Sequence, residues 1–398
     1  MKIKMLFVMP SLGSGGAEKS FVSMLALLPR DKFDIHVMVV KEGGLFYPLL
    51  PGNGITYINA PKNFKIALGS MHSRYMKEKC TLWDRMRKLI SNMIVRLHSI
   101  MGLGLLQLTW EIWKAKIPTL QERYDVAVSF MDGMTNFYVI DKVNAKKKIL
   151  WVHNDYNKIK TNIKYEHPFF VKADNVVTIS DICVKSLKEN FTDIAEKFIC
   201  LENISSGQMI NTMADDFSPQ EYIDLNDTAK ILSIGRLSPQ KGFDMAIDAA
   251  AILKNQGFKF KWHIIGVGAL RDLLQRQIAS CGLQEDVLLL GERKNPYPYI
   301  KNCDMVLQTS RYEGKSIVLD EAKILHKPII ATRYPSVSDN IKDGISGIIC
   351  DMSAESIAEA ITILSKDESK RKSLMSYLNE HCNGNEREIE KYNKLFKR

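Results

Sequence analysis

What most constrains this chain is an alternation repeated along its length: a short apolar strand, a turn of small or polar residues, then apolar residues at helical spacing. Lys4 to Met9 leads through Pro10-Ser11-Leu12-Gly13 to Phe21, Leu25 and Leu28. Ile231 to Ile234 leads through Gly235-Arg236-Leu237 to Met245, Ile247, Ala249, Ala250 and Ile252. Such alternation predicts parallel sheets covered by helices on both faces, the doubly wound α/β arrangement. At 398 residues and 45% hydrophobic content the expectation is two domains. We place the first at 1–205, a polar linker poor in periodic apolar residues at 206–228, the second domain at 229–375 and a final helix at 376–398.

Tyr312-Glu313-Gly314-Lys315-Ser316-Ile317 opens a segment that carries two carboxylates, Glu313 and Glu321, eight residues apart across a loop-to-helix junction. Ser316 suits an N-cap, and Ile317, Val318, Ala322, Ile324 and Leu325 form the apolar stripe behind it. Glu321 falls inside that stripe, where a carboxylate is costly unless something hydrogen-bonds to it. Eight residues at helical rise span about 12 Å, roughly the reach from the sugar to the ribose of a nucleotide-sugar. The free N–H groups of the first turn suit a diphosphate held between the two acids. Taken alone, the spacing better describes a surface acid and a chance partner.

The neighbouring motifs favour the first reading. Arg236 and Lys241 leave the carboxyl end of a strand, where open α/β sheets bind ligands. A guanidinium and a compact ammonium there suit a pyrophosphate. His263-Ile264-Ile265-Gly266-Val267-Gly268 is a second strand ending in residues small enough for close backbone approach. Val287 to Leu290 is a third, ending at Gly291-Glu292-Arg293, a polar turn whose backbone is expected, by analogy of fold alone, to frame a base.

This order of motifs, over about residues 229 to 350, resembles the retaining GT-B glycosyltransferases of family 4. The resemblance implies two Rossmann-like domains facing a cleft, with a C-terminal helix crossing back to the first domain. It implies a nucleotide-sugar donor in the second domain and an acceptor in the first. Arg236 and Lys241 match the diphosphate ligands, Glu321 the ribose-binding acid, and Glu313 the acid beside the donor sugar. Gly314, Lys315, Ser316 and Ile317 match the main-chain phosphate turn, although the family usually has an aromatic residue where Lys315 stands.

The first half fits the same pattern. Gly13-Ser14-Gly15-Gly16-Ala17-Glu18 enters a helix, yet it fails the G-x-G-x-x-G test because position 18 is Glu. From its residues alone it is a tight left-handed turn or a phosphate turn. Gly15, Gly16 and Glu18 resemble the family's Gly-Gly-Ala-Glu turn at the cleft. Lys148 to Val152 is a strand running into His153, which matches a cleft histidine of the family and is expected to act on the donor sugar. Ser180, after another strand, is either a contact residue or a helix N-cap.

Seven scattered cysteines without a C-x-x-C pair fit a reducing cytoplasm and no zinc site. The apolar run at the N-terminus stops at Pro10, too short for a signal peptide. Charge is uneven: residues 1–200 hold 29 Lys+Arg against 18 Asp+Glu, and 61–116 alone hold 11 against 3. Within that basic region Met86, Leu89, Ile90, Met93, Ile94 and Leu97 share a helical face, Arg85, Arg87, Lys88 and Arg96 lie beside it, and Trp83, Trp110 and Trp113 lie near its ends. The charge-free run from Leu97 to Trp110 is too short to span a bilayer. The region reads either as a helix lying on an anionic membrane or as cover for the domain core with a solvated basic face. No nucleic-acid-binding motif accompanies the charge.

The expectation is a cytoplasmic glycosyltransferase, peripheral on the inner face of the membrane. It would carry a sugar from a UDP- or GDP-linked donor to a saccharide or lipid-linked saccharide in bacterial surface polysaccharide synthesis. No D-x-D triplet is present, so no metal or other cofactor is expected. The rival readings are a nucleotide-sugar epimerase on the same fold and a catalytically silent binding module.

Overall fold

The computed structural model describes residues 2–13, 15–44, 46–50, 52–98, 104–159, 161–225, 227–313 and 316–397, without the side chains of 49, 97 and 98. The chain forms two compact units, Met1–Ile204 with Arg387–Arg398, and Ser205–Glu386.

The first unit is built on seven strands, β1 (Ile3–Met9), β2 (Phe33–Val39), β3 (Ile55–Tyr57), β4 (Arg123–Ser129), β5 (Asn144–Val152), β6 (Asn175–Thr178) and β7 (Phe198–Cys200). They lie in the order β3-β2-β1-β4-β5-β6-β7, all parallel. Met5 of β1 sits opposite Ile35 on one side and Val126 on the other. Residues Met5 to Met9 are fully buried, as a parallel strand covered on both faces must be. Alternate side chains serve two cores. Met5, Phe7 and Met9 pack with Phe21 and Phe396, whereas Leu6 and Val8 pack with Phe64, Trp110 and Tyr138.

The helix Ile389–Lys397 belongs to this first unit. Phe396 lies edge-on to Phe7 at 5.6 Å and to Phe33 at 6.3 Å, and the Tyr392 hydroxyl donates to Glu202 O. The crossing-back helix is therefore 389–397. Helix Glu368–His381, which overlaps the 376–398 segment expected to cross, stays in the second unit.

The second unit has six parallel strands, β8 (Ala229–Ile234), β9 (Phe260–Ile265), β10 (Val287–Gly291), β11 (Met305–Gln308), β12 (Ile329–Thr332) and β13 (Ile348–Cys350). Their order, β10-β9-β8-β11-β12-β13, places the first strand of the unit beside the fourth. This is the doubly wound arrangement with its switch point between β8 and β11. The stretch 206–228 is not a bare linker: its helix Gly207–Ala214 buries Ile210 and Ala214 in the core of this unit, against Tyr297 and Ile300.

Between β3 and β4 the basic region folds as helices Lys62–Leu68, Arg74–Glu78, Leu82–His98 and Leu105–Trp113. Trp110 and Trp113 are core residues rather than surface anchors, and only Trp83 is exposed. Helix 82–98 turns its polar side inward. Asp84, Lys88, Ser91 and Val95, at helical spacing, are its buried residues. Each polar member has a partner. Thr81 and Asp84 form a reciprocal N-terminal pair (Thr81 N to Oδ2 2.9 Å, Asp84 N to Thr81 Oγ1 3.2 Å), and Lys62 reaches the same carboxylate at 2.7 Å. Lys88 Nζ donates to Ala67 O at 2.7 Å, and Trp113 Nε1 donates to Ser91 Oγ at 2.9 Å. Arg85 donates to Met76 O and Lys77 O. Lys88 and Arg85 thus tie the helix to backbone carbonyls of its neighbours. Leu97 and residues 99–103 fall outside what is described. Among the described residues no helix is long and apolar enough to cross a membrane.

Candidate functional site

In the second unit the loops that leave β8 and β11 meet at the switch point. Gly242 ends the β8 loop with φ 62°, and a Cβ there would sit 2.1 Å from Thr309 O, so only glycine lets the two loops close. Thr309 Oγ1 donates to Lys241 O at 2.9 Å, and Arg311 N donates to Gln240 O at 2.7 Å. The closed loops bring Lys241 Nζ to 2.5 Å from Glu313 Oε1, with both side chains largely buried. Gly235 lies under the Lys241 stem, where an added Cβ would come within 3.1 Å of it.

Three further groups fix the Glu313 carboxylate. Ser310 Oγ donates to Oε1 at 2.6 Å, Gln308 Nε2 to Oε1 at 2.9 Å, and Gln240 Nε2 to Oε2 at 3.4 Å. Ser316 begins helix Ile317–Ile324, but its hydroxyl does not cap that helix. It donates to Gln308 Oε1 at 2.5 Å and so ties the helix start to the Glu313 cluster. Gln308, Ser310 and Gln240 were not anticipated from the sequence, although a polar Gln-Thr-Ser run at the end of the apolar Met305-Val306-Leu307 was a signal for them. Gly314 and Lys315 lie outside the described residues. Arg236 is exposed at the end of β8. Gly266, at φ 151°, packs so closely on β8 that a Cβ would fall 1.9 Å from Gly235 O.

Glu321 is fully buried on the core side of helix 317–324, with Ile317 buried on the same helix. The Tyr297 hydroxyl donates to Glu321 Oε1 at 3.0 Å. Burial, and then the adjacent carboxylate, push that phenol well above its ordinary value. Arg293 is a clamp by its side chain: it donates to Glu221 Oε1 at 2.9 Å, Leu290 O at 2.6 Å and the Tyr299 hydroxyl at 3.0 Å. The second unit therefore gathers Lys241, Glu313 and Ser316 into one bonded cluster. Glu321 with Tyr297, and Arg293 with Glu221, form separate ones.

In the first unit the switch point lies between β1 and β4. After β1, the turn is not left-handed at Gly15, whose φ is −80°. A Cβ there would lie 2.3 Å from Oε2 of the buried Glu18, which folds back over the turn and would have to shift. Gly16 begins the helix Gly16–Leu27. After β5, His153 is buried and its Nε2 donates to Phe130 O at 2.9 Å. That bond leaves Nδ1 as the acceptor nitrogen, and it has no hydrogen-bond partner among the described residues. Burial lowers the imidazole to about 4, so it is neutral near pH 7. Asp132, at the end of β4, was not anticipated; burial raises its carboxyl to about 6. Ser180 accepts from Cys183 N at 3.3 Å and is a helix N-cap.

Residues 216–381 match the family described as Glycosyl transferases group 1. The N-acetylgalactosamine-N,N'-diacetylbacillosaminyl-diphospho-undecaprenol 4-alpha-N-acetylgalactosaminyltransferase of Campylobacter jejuni is 26% identical over 366 residues, covering 91% of this chain and 90% of its own. A glycosyltransferase from Rickettsia africae superposes with a TM-score of 0.68 at 16% identity, over 100% of this chain and 98% of that one. The fold is GT-B. Anabaena HepE in complex with UDP-glucose shares it, with a TM-score of 0.67 at 18% identity over 99% and 98% of the two chains. The group 1 match and the relatives support a GT-B glycosyltransferase. Arg236, Lys241, Gly266, Arg293, Glu313 and Glu321 all fall inside the matched segment of the second GT-B unit.

Proposed function

We propose that this protein is a retaining hexosyltransferase of family 4. In this reading it moves a sugar from a UDP- or GDP-linked donor to a saccharide or lipid-linked saccharide, in the synthesis of a bacterial capsule or lipopolysaccharide. The observation that carries the reading is the Lys241–Glu313 pair at 2.5 Å, set where the loops of β8 and β11 converge. A cation and a fixed carboxylate side by side suit a donor whose diphosphate and sugar adjoin. Arg236, Lys241 and the start of helix 317–324 take the charge of the leaving diphosphate, and no metal or cofactor takes part. Glu321 receives the ribose, and His153 meets the donor sugar through its acceptor nitrogen. The name of the Campylobacter jejuni relative, with its diphospho-undecaprenol substrate, supports a lipid-linked acceptor, and the UDP-glucose complex of HepE supports a nucleotide-sugar donor. Such an acceptor places the enzyme on the inner face of the cytoplasmic membrane as a peripheral protein.

The test is incubation with UDP- and GDP-sugars, with and without saccharide and lipid-linked acceptors, in the presence and absence of EDTA. Free nucleotide and a glycosylated product that keeps the donor's anomeric configuration are expected, with EDTA harmless. Sugar epimerised without acceptor, or no turnover on any donor, would overturn the transferase reading. Activity abolished by EDTA and restored by manganese would overturn its metal independence.

A further inference from the structure

Helix 82–98 is amphipathic in the reverse sense for a helix on a domain surface. Asp84, Lys88 and Ser91 face the unit, each with a hydrogen-bonded partner, while Arg87 and Arg96 are exposed. Its large apolar residues face outward: Leu82, Trp83, Met86, Leu89, Ile90 and Met93 are between 45% and 72% exposed. Leu105 and Leu106, at the start of the next helix, are exposed as well, at 57% and 49%. Scattered exposed apolar residues need no explanation, but a continuous stripe of them marks an interaction surface.

A cavity of about 460 Å³ opens beside this stripe, between residues 69–72 and the helix. Lys88, Arg96 and His72 line it with Asn92, and Leu89 and Met93 of the stripe form its apolar wall. Lys88 is buried, and burial followed by the neighbouring Lys41 lowers it to about 8. Among the described residues its ammonium donates to Ala67 O, and an ammonium, with three N–H groups, can also serve an anion. The surrounding region carries 11 Lys+Arg against 3 Asp+Glu.

We propose that this face docks on an anionic phospholipid bilayer, with the apolar stripe of helix 82–98 among the acyl chains and a lipid phosphate in the cavity lined by His72, Lys88 and Arg96. The proposal rests on the peripheral membrane association given above and names the surface responsible. The excess of positive charge selects the anionic bilayer over a neutral one, and the stripe selects a bilayer over a soluble anion. Because the polar side of the helix is satisfied within the unit, docking needs no refolding of the helix.

The test is vesicle partition of the whole protein, using phosphatidylglycerol and phosphatidylcholine vesicles. Ile90→Asp with Met93→Asp changes only exposed side chains, and melting curves establish that the fold is intact. Its partition on phosphatidylglycerol should fall roughly tenfold to hundredfold, the loss expected for keeping such side chains in water. Arg96→Gln should weaken partition about fivefold, as for one cation near an anionic surface. Transfer to a water-soluble acceptor should be unchanged in both variants. Wild-type protein that binds neither vesicle overturns both the proposal and the membrane association. Wild-type binding that survives the double substitution overturns the docking face alone, because charge by itself then accounts for it. A dimer in solution that the double substitution converts to a monomer, without effect on vesicles, also overturns it.

Discussion

Replacing Glu313 by Gln separates two roles of the same contact. The carboxylate draws Lys241 to 2.5 Å, and Ser310 and Gln308 bond to the same oxygen at 2.6 and 2.9 Å. A diphosphate that uses Lys241 has to share it with Glu313. Glutamine keeps the shape and accepts from Ser310 and Gln308, but it no longer holds the ammonium by charge. Hydrogen bonds to charged groups contribute about 1.5–3 kcal/mol net, and part of that is returned when Lys241 reaches solvent. Free UDP should therefore bind the variant about 1–2 kcal/mol more tightly, or roughly 5–30-fold. Turnover should move the other way, falling roughly 10²–10³-fold if the fixed carboxylate stabilises the transition state. Calorimetric titration with UDP gives the first quantity, and initial rates at saturating donor give the second. Parallel loss of affinity and turnover would refute the competition for Lys241, and unchanged turnover would remove Glu313 from the reaction.

Glu321→Ala should weaken UDP binding by about 1–3 kcal/mol, whereas Tyr297→Phe should lower the melting temperature with much less effect on affinity; equal affinity losses would place the ribose elsewhere. Burial raises Asp132 to about 6, so in the window from about pH 4 to that value the folded protein holds a proton that the unfolded chain has released. Stability from this group falls as pH rises through the window, and Asp132→Asn should melt higher than wild type at pH 7 but not below about pH 4. Gly266→Ala should cost about 1–3 kcal/mol of stability, because its Cβ meets backbone at 1.9 Å; a melting temperature equal to wild type would mean that β8 and β9 separate freely at that end.

The alternation of strands and helices was legible because parallel strands covered on both faces must be continuously apolar, as Met5 to Met9 are. The positions of Lys241 and Glu313 could also be read, since both follow strands that end in glycine or polar residues. Their contact could not. It depends on the close approach that Gly242 allows at Thr309, which joins loops about 70 residues apart in sequence. Helix 82–98 shows the limit of periodicity most plainly. An apolar stripe identifies two faces of a helix but not which one is inside. Here the polar face is inside because Lys62, Ala67 O and Trp113 supply its partners, and those come from other helices. Arg293 likewise reads as a loop residue in the sequence, because its partners Glu221 and Tyr299 are brought to it by the fold.

The return of helix 389–397 to the first unit also sets an order of events during synthesis. Tyr392 and Phe396 complete a core whose other members, Phe7, Phe21 and Phe33 among them, leave the ribosome before the second unit is made. The second unit, Ser205–Glu386, is contiguous and has its whole sequence available earlier than the first unit does. At about 5–20 residues per second, the first unit waits roughly 10–40 s for its last helix while the second is made. During that interval the groove meant for Phe396 stays open, and a nascent chain stalled or truncated before residue 389 presents it to chaperones and proteases.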